Sequence, residues 1–185
     1  REPSEDFCIY VGRLSPEKRV DLVIKAWPHV DNNLKLYIIG SGEPRYTGYL
    51  KSIVKDNQRI LFTGPLEGKK LKDMFAKCLC VIYVTREEAR SQVPMEALAS
   101  GKPAIVADEG GLPETVRDKV DGFVIKPTPE NIADKVNFLY HNRDIAEQMG
   151  TNGRERAKIY DWELIAGQFT NLAQSKLPRK RGSKE

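Results

Sequence analysis

Phe7-Cys8-Ile9-Tyr10-Val11-Gly12-Arg13-Leu14-Ser15-Pro16-Glu17-Lys18-Arg19-Val20-Asp21-Leu22-Val23-Ile24-Lys25-Ala26-Trp27-Pro28 carries the whole fold in miniature. Five residues without a polar break, Phe7–Val11, read as a strand covered on both faces. A short loop with Gly12, Arg13 and Lys18 follows. Then Glu17–Trp27 sets Val20, Val23, Ile24 and Trp27 on one helical stripe, which Pro28 ends.

Outward from this unit the alternation repeats. Leu34–Ile39, Ile60–Thr63, Cys78–Val84, Ala104–Ala107 and Gly122–Ile125 are further strands, and Leu71–Lys77, Met95–Ser100 and Glu130–Tyr140 are helices between or after them. Gly150 and Gly153 interrupt a helical region that resumes from Trp162 to Ser175. Strand–helix alternation implies right-handed crossovers and an α/β, doubly wound parallel sheet of Rossmann-like type. Ligands of such sheets lie beyond the carboxyl ends of the strands, so the loops there hold the candidate site.

The bulk properties narrow the choice. The chain has 185 residues with 40% hydrophobic and 30% charged, which suits one large domain and excludes long disorder. No apolar run approaches the ~20 residues of a membrane span. The net charge is +4, but Lys176–Glu185 holds five basic residues and one acidic. The other 175 residues balance, 25 against 25, so the bulk charge gives no nucleic-acid reading. Residues 176–185 are a basic tail, and Arg179-Lys180-Arg181 is either a solvated terminus or a contact for nucleic acid or an anionic membrane. Arg1–Asp6 is polar and reads as a linker remnant of a longer chain. Three cysteines do not make a disulfide framework. Cys78 and Cys80, expected on one side of a buried strand, point to core thiols in a reducing compartment. His29 and His141 stand alone, and no metal site is expected.

Two glycine clusters fall short of phosphate-binding fingerprints. Gly40-Ser41-Gly42 has Arg45 where a third glycine would stand. Gly64 to Gly68-Lys69-Lys70 is one residue short and lacks the Ser or Thr for magnesium. Both read equally as strand-end turns. Three other pieces follow strands in turn. Gly12–Lys18 delivers two cations that suit a diphosphate, though by itself it reads equally as a solvated loop. Glu88 and Glu96, eight residues apart, span a loop and a helix that Ser91 or a neighbour is placed to cap, with Pro94 in its first turn. The free N–H groups of that turn form an anion site, and Glu96 suits ribose hydroxyls. Glu109-Gly110-Gly111-Leu112-Pro113-Glu114 is a flexible loop entering a helix.

The order Gly12-Arg13-Leu-x-x-Glu17-Lys18, Gly40-x-Gly42, Phe62-Thr63-Gly64, Glu88-x7-Glu96-Ala97-Leu98-Ala99-x-Gly101-Lys102-Pro103 and Gly110-Gly111-Leu112-Pro113-Glu114 resembles glycosyltransferase family four. More narrowly it resembles the carboxy-terminal, donor-binding half of those GT-B enzymes, from Phe7 to Phe169 with the Asp161-Trp162-Glu163 helix start. The resemblance implies a nucleotide-sugar-binding Rossmann-like domain over residues 7–175. It implies a retaining, metal-independent transfer of a sugar from a nucleotide diphosphate sugar to an acceptor hydroxyl, with no cofactor besides that co-substrate. Gly12, Arg13 and Lys18, together with Ser91, Gln92 and Val93, would hold the diphosphate. Glu96 would hold the ribose, Gly64, Pro65, Leu66 and Glu67 the base, and Glu88 the transferred sugar, as its catalytic carboxylate.

Val93-Pro94-Met95-Glu96 resembles mannosyltransferases of surface-polysaccharide assembly, so GDP-mannose is the expected donor. The expected partners are that donor and a glycan or lipid-linked acceptor held by an amino-terminal domain, without nucleic acid. The expected setting is cytoplasmic, with a peripheral place at the inner face of the membrane as a variant. The isolated domain is expected to be inactive. Two departures stand out: Ala89-Arg90-Ser91 replaces a Gly-or-Asp, Phe-Gly run, and Arg19 replaces a common glycine. The first supports the alternative of a catalytically weakened nucleotide-sugar-binding module.

Overall fold

The computed structural model describes residues 4–160 apart from Glu87 and Arg90. The expected helix from Trp162 to Ser175 and the basic tail lie outside the described residues.

Six strands form one all-parallel sheet in the order β3-β2-β1-β4-β5-β6: β1 (Phe7–Val11), β2 (Lys35–Ile39), β3 (Ile60–Gly64), β4 (Val81–Tyr83), β5 (Ala104–Ala107) and β6 (Gly122–Ile125). The helices are α1 (Val20–Ala26), α2 (Pro44–Val54), α3 (Gly68–Lys77), α4 (Gln92–Ala99), α5 (Leu112–Thr115), α6 (Pro129–His141) and α7 (Arg143–Ala157). The chain winds outward through β2 and β3, then returns to the other side of β1. The order therefore reverses between β1 and β4, and a doubly wound sheet opens its crevice at such a point.

The central strands β1, β4 and β5 are buried apart from Val11 at the end of β1, as their unbroken apolar runs demand. Val20, Val23, Ile24 and Trp27 are buried along α1 and the turn after it, the expected stripe. Each such side chain contributes about 1.5–3 kcal/mol of burial. The Trp27 indole donates to the Leu34 carbonyl at 3.3 Å, and Arg59 donates to the carbonyls of Trp27, Val30, Asp31 and Leu34. These contacts tie the end of α1 to the start of β2.

Several boundaries differ from expectation. The helix begins at Val20 because Pro16–Lys18 forms a 3-10 turn and Arg19 takes the left-handed conformation (φ 51°). The fourth strand is Val81–Tyr83, so Cys78 and Cys80 precede it; both are buried, Cys80 Sγ lies 3.5 Å from Cys8 Sγ, and burial pushes the Cys78 thiol up. Gly150 and Gly153 do not interrupt a helix. They lie inside α7, where a Cβ on Gly153 would come within 2.7 Å of Leu98 Cδ2 on α4. Helix α2 was not expected at all. Residues 4–6 are pinned to the fold: Glu5 N–H donates to the Lys77 carbonyl (2.8 Å), Lys102 to Ser4 (2.8 Å), and Asp6 pairs with Arg143.

Candidate functional site

Three loops meet at the reversal point, one each from the carboxyl ends of β1, β4 and β5. The β1 loop carries Gly12, Arg13 and Lys18. Gly12 (φ 149°) leaves room for the Tyr10 hydroxyl, which a Cβ there would approach to 3.1 Å. That hydroxyl donates to the Arg13 carbonyl at 2.9 Å and shapes the turn. Arg13 is exposed.

Gly40 and Gly42 serve this loop from the neighbouring strand. A Cβ on Gly40 would overlap the Gly12 carbonyl, and one on Gly42 the Leu14 carbonyl. Leu14 and Gly42 form a parallel bridge, with Leu14 N–H donating to Ser41 at 2.9 Å. These glycines are contact points between two backbones, in keeping with the turn reading.

Lys18 is turned back into the crevice and pairs directly with Glu88 of the β4 loop. Tyr83, at the end of β4, binds both: its hydroxyl accepts from Lys18 Nζ at 3.2 Å and donates to Glu88 Oε2 at 3.2 Å. The ammonium also lies 5.6 Å from the centre of the Tyr83 ring. Burial acts to lower the Lys18 pKa, but the hydrogen bonds and charge of Glu88 and Tyr83 outweigh it, and the ammonium is held above its ordinary value. Tyr10 and Tyr83 stack across β1 and β4 at 6.4 Å between centroids, so two tyrosines floor the crevice. Both are buried, and burial, with Tyr83 next in effect, pushes Tyr10 well up.

Helix α4 starts at the crevice. Ser91 is buried at its N-cap and accepts from Val93 N–H at 3.4 Å, while Pro94 sits in the first turn. The amides of Gln92 and Val93 therefore belong to a helix amino terminus, where an anion is favoured. Glu96 lies one turn along. Its side chain is exposed in part, and the burial it has pushes its carboxyl up.

The β5 loop closes the third side. A Cβ on Gly110 would come within 2.5 Å of the Glu88 carbonyl oxygen, and one on Gly111 would overlap the Ala89 carbonyl. Gly111 N–H donates to the Glu88 carbonyl at 2.8 Å. The double glycine thus lets one loop backbone lie on the other. Gly64 ends β3 and Pro65, Leu66 and Glu67 follow it, two strands from β1 on the same edge of the sheet. Gly64 needs its left-handed backbone (φ 72°), and Glu67 is the N-cap of α3.

The structure thus joins Lys18 to Glu88, sets the start of α4 beside them, and leaves residues 64–67 farther along the edge. Sequence reasoning missed Tyr10 and Tyr83, which in strands buried on both faces show no alternation to set them apart. It also missed the pair Arg19–Glu109. Among the described residues no cluster of three metal-binding side chains occurs, and no helix is long and apolar enough to cross a membrane. A cleft of about 380 Å³ lined by Ser4, Asp6, Tyr140, Arg143, Ala146 and Glu147 lies at the opposite, amino-terminal edge. It holds none of the candidate site residues.

Comparison with known proteins bears on the family and on the fold. The family model described as "Glycosyl transferases group 1" matches residues 1–156. An uncharacterized glycosyltransferase of Methanocaldococcus jannaschii, MJ1178, is 32% identical over 164 residues, which cover 88% of this chain and 46% of that protein. The sulfoquinovosyl transferase SQD2 of Arabidopsis thaliana is 28% identical over 174 residues, 92% of this chain and 33% of its own. Among solved structures, Anabaena Alr3699/HepE in complex with UDP-glucose superposes with a TM-score of 0.85 at 23% identity, over 92% of this chain and 49% of that one. The chain thus spans less than half the length of these relatives.

Proposed function

The chain belongs to the group 1 glycosyl transferases, and from that premise we propose that it is the donor-binding half of a retaining enzyme. It binds a nucleotide diphosphate sugar, and the complete protein moves the sugar to an acceptor hydroxyl. The observation that carries this reading is the convergence of Lys18, Glu88 and the α4 amino terminus at the β1–β4 reversal point.

When the bond from the sugar to the diphosphate breaks, negative charge grows on the departing phosphates. Lys18, Arg13 and the first amides of α4 are the groups that stabilise it. Positive character grows at the sugar carbon, and the Glu88 carboxylate stabilises or orients that centre. Lys18 and Glu88 neutralise each other, so the donor diphosphate must draw Lys18 away from the carboxylate. Tyr83 then keeps a hydrogen bond to Glu88. Glu96 accepts from the ribose hydroxyls, and residues 64–67 face the base.

The donor is GDP-mannose on the strength of Val93-Pro94-Met95-Glu96 alone. A solved relative of the same fold holds UDP-glucose, which makes the uridine nucleotide the natural rival. The acceptor is held by a second domain, the protein works on the cytoplasmic side, and the isolated chain transfers no sugar.

Calorimetric titration with GDP, UDP and ADP, and with GDP-mannose, UDP-glucose and ADP-glucose, tests the reading, each in EDTA and in magnesium. Binding of one nucleotide series in EDTA is expected. Failure of every nucleotide to bind would overturn the reading, and binding that returned only with magnesium would remove its metal-independent part.

A further inference from the structure

Arg19 stands in a conformation that a side chain rarely takes, φ 51°. Strained backbone of this kind persists where the surroundings hold it, and it clusters at functional sites. Here the side chain runs back toward the crevice with only 12% of its surface exposed. Its Nη1 lies 3.0 Å from Glu109 Oε2, without hydrogen-bond geometry to any atom among the described residues.

The location of this pair gives it meaning. The three loops of the crevice form a closed triangle. The β1 and β4 loops are joined by Arg86 N–H and the Thr85 hydroxyl, which both donate to the Glu17 carbonyl at 2.8 and 3.1 Å. The β4 and β5 loops are joined by Gly111 N–H on Glu88 and by the two glycines pressed on Glu88 and Ala89. Arg19–Glu109 supplies the remaining side, from β1 to β5. Glu109 immediately precedes Gly110, so any drift of Glu109 lifts the glycines from the backbone that presents Glu88.

We propose that Arg19 and Glu109 are a positioning pair that holds the Asp108–Leu112 loop on the Glu88 loop and so fixes the sugar-facing wall of the crevice. The pair touches no reacting atom; it acts through Glu88. Its consequence for the sugar rests on the functional reading above, whereas its mechanical role does not.

Three variants separate the possibilities: Arg19→Gly, Glu109→Gln, and the exchanged pair Arg19→Glu with Glu109→Arg. Glycine adopts φ 51° without strain, so Arg19→Gly keeps or raises the melting temperature. Amide hydrogen exchange is measured first. Gly111 N–H is expected to exchange about tenfold faster in Arg19→Gly and Glu109→Gln, and to recover in the exchanged pair. Binding is measured next with GDP, GDP-mannose, UDP and UDP-glucose. Affinity for the bare nucleotide stays within about twofold, the gain from the attached sugar falls about tenfold, and the exchanged pair restores it. Unchanged exchange at Gly111, or no recovery in the exchanged pair, would overturn the proposal. If no nucleotide binds the unaltered chain, the functional reading falls and the exchange result alone decides the pair.

Discussion

Glu96 is the residue whose environment makes the sharpest forecast. Burial raises its carboxyl pKa, so on acidification it takes up a proton before an ordinary glutamate does. A ribose hydroxyl donates best to the ionised form. Nucleotide affinity is therefore expected to be full above the raised pKa and to fall as the pH drops through it, in a range where ordinary carboxylates are still charged. In Glu96→Gln affinity is lower and that decline disappears; a decline that persists in Glu96→Gln would assign it to another group. Glu96→Ala should weaken GDP or UDP by the loss of charge-assisted bonds worth about 1.5–3 kcal/mol each, whereas Glu88→Ala should chiefly weaken the sugar conjugates. Equal losses in both variants with the bare nucleotide would show the two roles misassigned. Tyr83→Phe keeps the buried ring but removes the hydroxyl shared by Lys18 and Glu88, and should cost about 1 kcal/mol in denaturant unfolding.

Glycines in two helices test how the elements were built. Gly48 lies inside α2, where an added Cβ would meet nothing within 4 Å, so Gly48→Ala should stabilise by about 0.5–1 kcal/mol. Gly153 lies inside α7 against Leu98, so Gly153→Ala should destabilise by about 1–3 kcal/mol through overpacking. Thermal unfolding of the two variants checks both signs. The same glycines explain what the sequence hid. The strands at Phe7–Val11, Ala104–Ala107 and Gly122–Ile125 were legible to the residue because each is an apolar run fenced by turn residues. Helix α2 was not, because Thr47-Gly48 breaks its propensity and only Leu50 of its residues is fully buried. Gly150 and Gly153 read as breakers because close approach to α4 is a tertiary fact with no local signature. Of the candidate site residues, Arg13, Lys18, Glu88 and Glu96 stand out in the sequence by following strands in turn and by the family resemblance. Tyr83 and the Arg19–Glu109 pair have no such local signature, since each is defined by a partner on a distant loop.

At the scale of the molecule, one topological event organises everything else. The sheet grows through β2 and β3, returns past β1 to β4, and leaves a crevice where the two directions part. Cations, a helix amino terminus and the carboxylates Glu88, Glu96 and Glu109 are gathered on that edge, whereas the cleft among Ser4, Asp6 and Arg143 lies on the other. The central claim is that nucleotide sugar binds at the β1–β4 reversal point. The measurement that tests it most directly is a backbone amide NMR titration of the chain with UDP-glucose and with GDP-mannose. At least one should shift the amides of residues 12–19, 88–96 and 109–112 together, with residues 64–67 following the base. No shifts with either, or shifts confined to residues 4–6 and 140–147 at the amino-terminal edge, would contradict it.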